Sequence, residues 1–409
     1  MSAAVAAVER AARDAYGRLV AILASRSGDI AGAEDALSDA LLAALQRWPE
    51  QGIPANPVGW LVTAARNHAI DRYRRDGRAA GYADDLRMLE QEVTEKSQEF
   101  PDERLKLLFV CAHPAIDAGV RTPLMLQAVL GLDAARIARA FLVAPATMSQ
   151  RLVRAKTKIR AAGIAFAVPD PERLAERLPP VLETIYSAFG LAWEDLPVGA
   201  TLADDLSAEA IFLARLLVDL LPGEPETKGL LALMLFCEAR RPARRDAAGR
   251  FVPLADQNVS LWSKSLIEAG DALLIAASRH ARFGRFQCEA AIQSAHSQRA
   301  FGRAVPTGAI VGLYNLLVDR APSFGASIGR VAALLDDGQA EAAASALARL
   351  PSERLRAHQP YWAAHAAVMR ALGNHEAARA SAEQAIGLSD DPAVRDHLIA
   401  RFHLKDTRA

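Results

Sequence analysis

"WLVTAARNHAIDRYRR", residues 60–75, is the stretch from which the N-terminal part of the chain is read. It is helical in pattern, contains neither Gly nor Pro, and finishes in a cluster of arginines. At about 100° per residue, Leu61, Val62, Ala65, Ala69 and Tyr73 fall on one side and face a core. Thr63, Asn67, Asp71 and Arg74 fall on the other. A helix anchored by one face and covered with amides, hydroxyls and guanidinium groups on the other raises the question of what those groups meet.

The chain around it has 409 residues, enough for two to four domains. Aromatics make up only 6% of residues and alanine is abundant, which favours helix packing over sheets and predicts an all-α fold. Formal net charge is zero, so any attraction to a polyanion must come from local segregation of charge. Glu9, Arg10, Arg13 and Asp14 interrupt the N-terminus where a signal peptide needs an apolar run. The greasiest stretch, "GLLALMLF" at residues 229–236, is too short to span a bilayer. Cys111, Cys237 and Cys288 have no disulfide or zinc spacing. The expectation is a cytoplasmic chain with no membrane segment.

Helices to about residue 75 are separated by a proline-rich loop, "WPEQGIPANPVGW" at 48–60. Residues 76–103 are polar and become strongly acidic, as a linker does. Helical periodicity returns at Leu105, and the four prolines of "AVPDPERLAERLPP" at 167–180 mark a boundary. Further helices follow. "DGQAEAAASALARLP" from Asp337 and "LGNHEAARASAEQAIGLSDDP" from Leu372 align at an offset of roughly 35 residues, close to the tetratricopeptide period.

The second basic segment is "LDAARIARAFLVAPATMSQRLVRAKTKIRAAG", residues 132–163. Ile137, Ala138 and Phe141 give a short helix an apolar face, "LVAP" is a turn, and Pro145 sits in the first turn of a second helix. That helix buries Met148, Leu152 and Ile159 and exposes Thr147, Ser149, Gln150, Arg151, Arg154, Lys156, Lys158 and Arg160. Small polar residues early and cations late is the layout of a helix-turn-helix, in which the first read base edges and the second neutralise phosphates. A solvated basic face is the plainer alternative.

With both basic helices in view, the chain resembles RNA polymerase sigma factors of the sigma-70 family, extracytoplasmic-function (ECF) class. "WLVTAARNHAIDRYRR" fits each fixed position of the W-L-x-x-x-A-R-N-x-x-I-D-x-x-R-R helix that ends their region 2. "DIAGAEDALSDALLAALQRW", residues 29–48, is similar to their polymerase-docking helix, and "TMSQRLVRAKTKIR" to the end of region 4, with Met for Val. The stretch "LLALMLFCEARRPARRDAAGRFVPLADQNVSLW" resembles the long helical extension of one group within the class.

The resemblance implies sigma region 2 at 1–76, an acidic linker at 77–103, and region 4 with its helix-turn-helix at 104–165. A helical extension would follow at 179–305 and tetratricopeptide-like helices at 306–405. Core RNA polymerase and promoter DNA become the expected partners, with a signalling protein as a candidate on the extension, and no cofactor, metal or catalysis. Polymerase contact falls to Glu34, Asp35, Asp39 and Leu41. The −10 element falls to Asn56, Trp60, Thr63, Arg66, Asn67, Arg72, Arg74 and Arg75, and the −35 element to Thr147, Ser149, Gln150, Arg151, Arg154, Lys156 and Lys158. The loop "GIPANPVG" departs from the polar, aromatic-containing loop common in the class.

"CAHP", residues 111–114, has no second ligand pair and reads as buried structure. The five arginines of "ARRPARRDAAGRFVPLADQ" suit either a nucleic-acid patch or a surface loop. A stand-alone helix-turn-helix regulator with a protein-interaction tail is the alternative to a sigma factor, and a scaffold with merely solvated basic helices is a third reading.

Overall fold

The apolar periods of the sequence become α-helices, and among the described residues β structure is limited to one isolated bridge, Arg245 to Phe251. The computed structural model describes residues 3–75, 102–141, 143–194, 201–280 and 282–402, with backbone only at 13–14, 71–75, 194 and 201–205. The chain divides into two compact units, Met1–Leu216 and Leu217–Ala409.

The first unit opens with α1 (Ala3–Ser27), α2 (Ile30–Gln51) and α3 (Pro57–Arg75), packed on one another around Leu19, Ile30, Leu37, Trp48, Leu61 and Val62. Two caps set where the helices begin. The Asp29 carboxylate accepts from the Gly32 N–H at 3.1 Å, and the Asn56 side chain accepts from the Gly59 N–H at 2.9 Å. Pro57 then starts α3 where its missing N–H costs little.

Next come α4 (Arg104–Cys111), α5 (Ala118–Ala128), α6 (Ala134–Ala140) and α7 (Pro145–Ala161). Phe109, Met125, Ile137, Met148, Leu152 and Ile159 close their core. These four helices press on the first three. A Cβ on Gly17 of α1 would lie 1.7 Å from the Val129 carbonyl oxygen just beyond α5, so the two backbones meet where no side chain fits.

The proline-rich stretch is not a break. After a short non-helical run, α8 (Pro171–Glu194) continues through Pro179 and Pro180. Each proline lacks the N–H that would have reached a carbonyl one turn back, on Ala175 and Glu176, and both of those residues are exposed. Leu178, Val181, Leu182, Ile185, Ala188, Phe189 and Ala192 form a buried stripe at helical spacing, and α8 packs on α4 and α5. In α9 (Thr201–Leu220), Glu209 is ion-paired to Arg104, whose guanidinium also lies 4.9 Å from the Phe212 ring. The first two helices past the expected boundary are therefore built into the same unit as the helix-turn-helix.

In the second unit, α10 (Pro225–Ala239) is buried on almost every side, which explains its greasy sequence without a membrane. Among the described residues no helix is long and apolar enough to cross one. α11 (Lys264–Ser278) and α12 (Arg285–Ser297) cover it. Glu226 reaches from α10 to cap α12, accepting from the N–H groups of Phe286 at 2.9 Å and Gln287 at 3.2 Å. Then follow α13 (Thr307–Arg320), α14 (Phe324–Asp336), α15 (Ala340–Ala348), α16 (Gln359–Ala371), α17 (His375–Gly387) and α18 (Pro392–Phe402). The aligned sequence segments share one local structure. Gly338 and Gly373, at φ 76° and 75°, each turn the end of one helix into the start of the next.

The arginines of the connection between α10 and α11 serve the fold. Arg241 pairs with Glu238 at 2.8 Å, Arg245 with Asp391 at 2.5 Å, and Arg250 with Asp246 at 2.7 Å. Arg240 is buried and donates to Gln293, and its guanidinium shares the Trp262 ring with that of Arg299, at 6.0 and 5.5 Å. The nucleic-acid patch is not what these residues form. Near this cluster, burial pulls the His296 imidazole down to about 4, and the charges of Arg240 and Arg299 add to the effect.

Two outcomes follow from this architecture. A chain ending after Ala167 loses α8 and α9, bares the apolar faces of α4 and α5 and strips Arg104 of Glu209. It should unfold well below a chain ending after Leu221, as followed by circular dichroism on heating. For His296, the unfolded chain takes up a proton near pH 6.5 while the folded unit resists until about 4, so its contribution to stability is intact above 6.5 and is lost as the pH falls towards 4. At 1.36 kcal/mol per unit, urea unfolding should show a loss on the order of 3 kcal/mol across that window, much reduced in His296→Gln.

Candidate nucleic-acid interface

Two helices carry the candidate side chains in the first unit. In α7 the inward stripe is Met148, Leu152, Ala155, Lys156 and Ile159, and the helix rests on it. Thr147, Ser149, Gln150, Arg151, Arg154 and Lys158 are exposed, as the sequence predicts. Arg151, Arg154 and Lys158 border a cleft of about 430 Å³ whose apolar wall is Ile116, Val120 and Ala155 and whose carboxylate is Asp117. Three cations on one solvent-facing surface suit phosphate oxygens, and the small polar residues one to two turns earlier are free of that charge.

Lys156 departs from the expectation. It is only 7% exposed, and its ammonium donates to the Glu34 carboxylate of α2 at 2.5 Å. One turn later the Arg160 guanidinium donates to Asp29 at 3.0 Å. Lys156 follows Ala155 in a stripe that also holds Leu152 and Ile159, so a long stem packs inward with them and delivers its charge to an acid. Burial raises the Glu34 carboxyl above its ordinary range against the opposing pull of Lys156. The nearby Tyr16 hydroxyl is raised too, by burial first and then by Glu34.

In α2 the expected polymerase-contacting residues part company. Asp35 and Asp39 are exposed, Leu41 is half-buried, and Glu34 is turned towards α7. Sequence reasoning missed Leu42 and Leu45, which are exposed apolar side chains, Leu42 at 57%. With Asp35, Ser38 and Asp39 they make an i, i+3, i+4, i+7 stripe on the outer face, a spacing that was present in the sequence.

In α3, Asn56 caps the helix and is exposed, and the Thr63 hydroxyl donates to the Gly59 carbonyl at 3.0 Å. Asn67 is exposed. Trp60 stands edge-on to Trp48 with ring centroids 5.5 Å apart, so it is half core and half surface. Arg66 is buried, contrary to a phosphate-contacting role in this arrangement. It precedes Asn67 on the side of the helix that Val62 and Ala65 also occupy, and it was the resemblance, not the helical period, that assigned it to phosphates. The side chains of Arg72, Arg74 and Arg75 lie outside the described residues, as does most of the expected acidic linker.

The remaining candidates are structural. Cys111 is buried and its thiol is raised by that burial, so it stays protonated. His113 accepts from the Ala115 N–H at 3.1 Å and shapes the turn before α5. Among the described residues no three His, Cys, Asp or Glu side chains gather to hold a metal.

Comparison with known proteins agrees with this geometry at its N-terminal end. Residues 12–79 match Sigma-70 region 2, and residues 177–278 match a family of unknown function, DUF6596. Over 382 residues the chain is 37% identical to an uncharacterized protein of Rhizobium meliloti (strain 1021), covering 90% of each chain. No solved structure matches. The chain therefore belongs to one family with that Rhizobium meliloti protein, and its helices α1 to α3 carry the match to Sigma-70 region 2.

Proposed function

We propose that this chain is a sigma factor of the ECF class, which binds core RNA polymerase and directs it to promoters through two DNA-reading helices. The observation that carries the reading is the pairing of a sigma-70 region 2 domain with a helix-turn-helix that presents an exposed cationic face, both in one compact unit. Asp35, Asp39, Leu42 and Leu45 on the outer face of α2 form the polymerase-docking surface, with Glu34 and Leu41 at its edge. The −10 element is received by Asn56, Trp60, Thr63 and Asn67 on the outer side of α3, together with Arg72, Arg74 and Arg75, which the resemblance assigns to it. Opening a base out of the stack costs a few kcal/mol, and an aromatic ring such as Trp60 with cations nearby offsets that cost. In α7, Thr147, Ser149 and Gln150 face bases of the −35 element while Arg151, Arg154 and Lys158 neutralise its phosphates.

The part beyond α9 is a regulatory extension. Its repeated helix–glycine–helix hairpins support a tetratricopeptide-like tail, an architecture whose inner surface commonly holds a partner segment, here a signalling protein. A promoter pull-down decides between this reading and a stand-alone regulator. Binding that depends on core polymerase supports a sigma factor, and operator binding by the chain alone supports the regulator.

Gln150→Ala should relax base preference at one −35 position at a cost of ~1–3 kcal/mol. Arg154→Ala should weaken all sequences alike and reduce the salt slope by about one unit. Binding isotherms on a promoter library at several salt concentrations measure both, and equal loss of sequence preference in the two variants would refute the division of roles. Reversing charge with Asp35→Lys and Asp39→Lys should reduce co-purification with core polymerase while circular dichroism stays unchanged. Undiminished co-purification would move the docking surface elsewhere.

A further inference from the structure

The turn between α4 and α5 gathers cations that the proposed polymerase and promoter surfaces leave unused. His113 stands at its start, and its Nδ1 accepts from the Ala115 N–H at 3.1 Å. In the neutral ring the proton is then on Nε2, which remains a donor. Arg121 of α5 is braced against the same turn. It donates from Nε to the Ile116 carbonyl at 2.9 Å and from Nη2 to the Pro114 carbonyl at 3.1 Å, and both acceptors are neutral.

Two more guanidinium groups come from α8, which packs on both α4 and α5. Arg173 and Arg177 sit one turn apart near its N-terminal end, Arg173 exposed and Arg177 only 7% exposed. Burial holds the His113 imidazole below its ordinary range, the charges of Arg177, Arg173 and Arg121 add to the effect, and Glu176 opposes it. The three arginines are thus close enough to His113 for their charges to act on it.

Arg177 is the anomaly. Its Nε is sealed from solvent with no acceptor, and among the described residues its guanidinium makes no ion pair. Arg104 and Lys156 are buried to the same degree in this unit, and each has a carboxylate. A covered cation without one has given up water and gained no counter-charge. What the cluster lacks is an acceptor with negative charge. Three guanidinium groups and an Nε2–H around one turn offer more donors than the two oxygens of a carboxylate take up, and they suit a tetrahedral oxyanion. The N-terminal end of α8 adds partial positive charge of its own. A duplex backbone stays outside a residue covered as Arg177 is, so the anion is a small one.

We propose that His113, Arg121, Arg173 and Arg177 form a binding site for a phosphoryl oxyanion, taken either as free phosphate or as the phosphoryl group of a small metabolite. The bound anion ties α8 to the turn before α5 and neutralises the guanidinium that the fold leaves alone. None of the four residues belongs to the surfaces assigned to polymerase or promoter, so the site stands or falls independently of the sigma-factor reading.

Calorimetric titration of the full chain with inorganic phosphate, at ionic strength held constant with sodium chloride, tests the site. One saturable event is expected, with a rise in unfolding temperature that chloride does not give. Arg177→Met should weaken phosphate binding about tenfold or more and abolish that rise. Arg173→Gln, at an exposed position outside the core, should weaken it by a smaller factor even if the Arg177 variant fails to fold. Methyl phosphate separates the two sources, since equal binding places the phosphoryl group of a metabolite in the site and rejection of the ester restricts it to free phosphate. The absence of a saturable event, or binding that Arg173→Gln and any folded Arg177→Met both leave unchanged, overturns the site. Acetate bound as tightly as phosphate overturns the choice of a tetrahedral anion. Duplex DNA that displaces phosphate, and itself binds less well to Arg173→Gln, overturns the small ligand and makes the cluster a backbone contact.

Discussion

The close approach of α1 to the end of α5 sets the rest of the first unit. Because position 17 is glycine, the Val129 carbonyl sits where a methyl group would be, and the first three helices meet the next four backbone to backbone. Everything at that contact follows from the approach. It sets α2 beside α7, it puts Glu34 under Lys156, and it buries both charges far enough that neither can be left alone. Removing one member of such a pair costs more than the pair itself contributes, since the survivor stays desolvated. A polar contact of this kind gives the interface a definite register and only modest net strength.

The helical period made most of the fold legible. Leu61, Val62 and Ala65 are buried as their spacing requires, and so are Met148, Leu152 and Ile159. Pro145 starts α7 and Pro225 starts α10 because a proline at a first turn fits without loss. Pro179 and Pro180 misled, since proline pairs usually end helices. Here the carbonyls they orphan belong to exposed residues, and the stripe from Leu178 to Ala192 stabilises the helix across them.

The candidate site was legible where a residue's face is settled by its own helix, as for Gln150, Arg151 and Arg154. It was not legible where a second helix decides, and Lys156 is the case. A basic residue at the border of an apolar stripe is exposed if nothing covers the border and buried if a neighbouring helix does. That neighbour lies over a hundred residues away in sequence for Lys156. The arginine-rich connection after α10 shows the same dependence, because Asp391, the partner of Arg245, arrives from the far end of the second unit. The repeat of Gly338 and Gly373 was visible because its cause is local, a left-handed turn that glycine adopts without strain.

The burial of α10 on nearly all sides bears on how the chain is made. Its neighbours α11 and α12 both come later, so during synthesis "GLLALMLF" emerges with nothing to pack against until Ser297 has followed it. At about 5–20 residues per second, that interval lasts several seconds. For that time an eight-residue apolar segment is open to any other greasy surface on the ribosome or on a neighbouring nascent chain. Slower translation between residues 239 and 297, or a smaller supply of chaperones that bind short apolar stretches, should therefore lower the yield of the native chain.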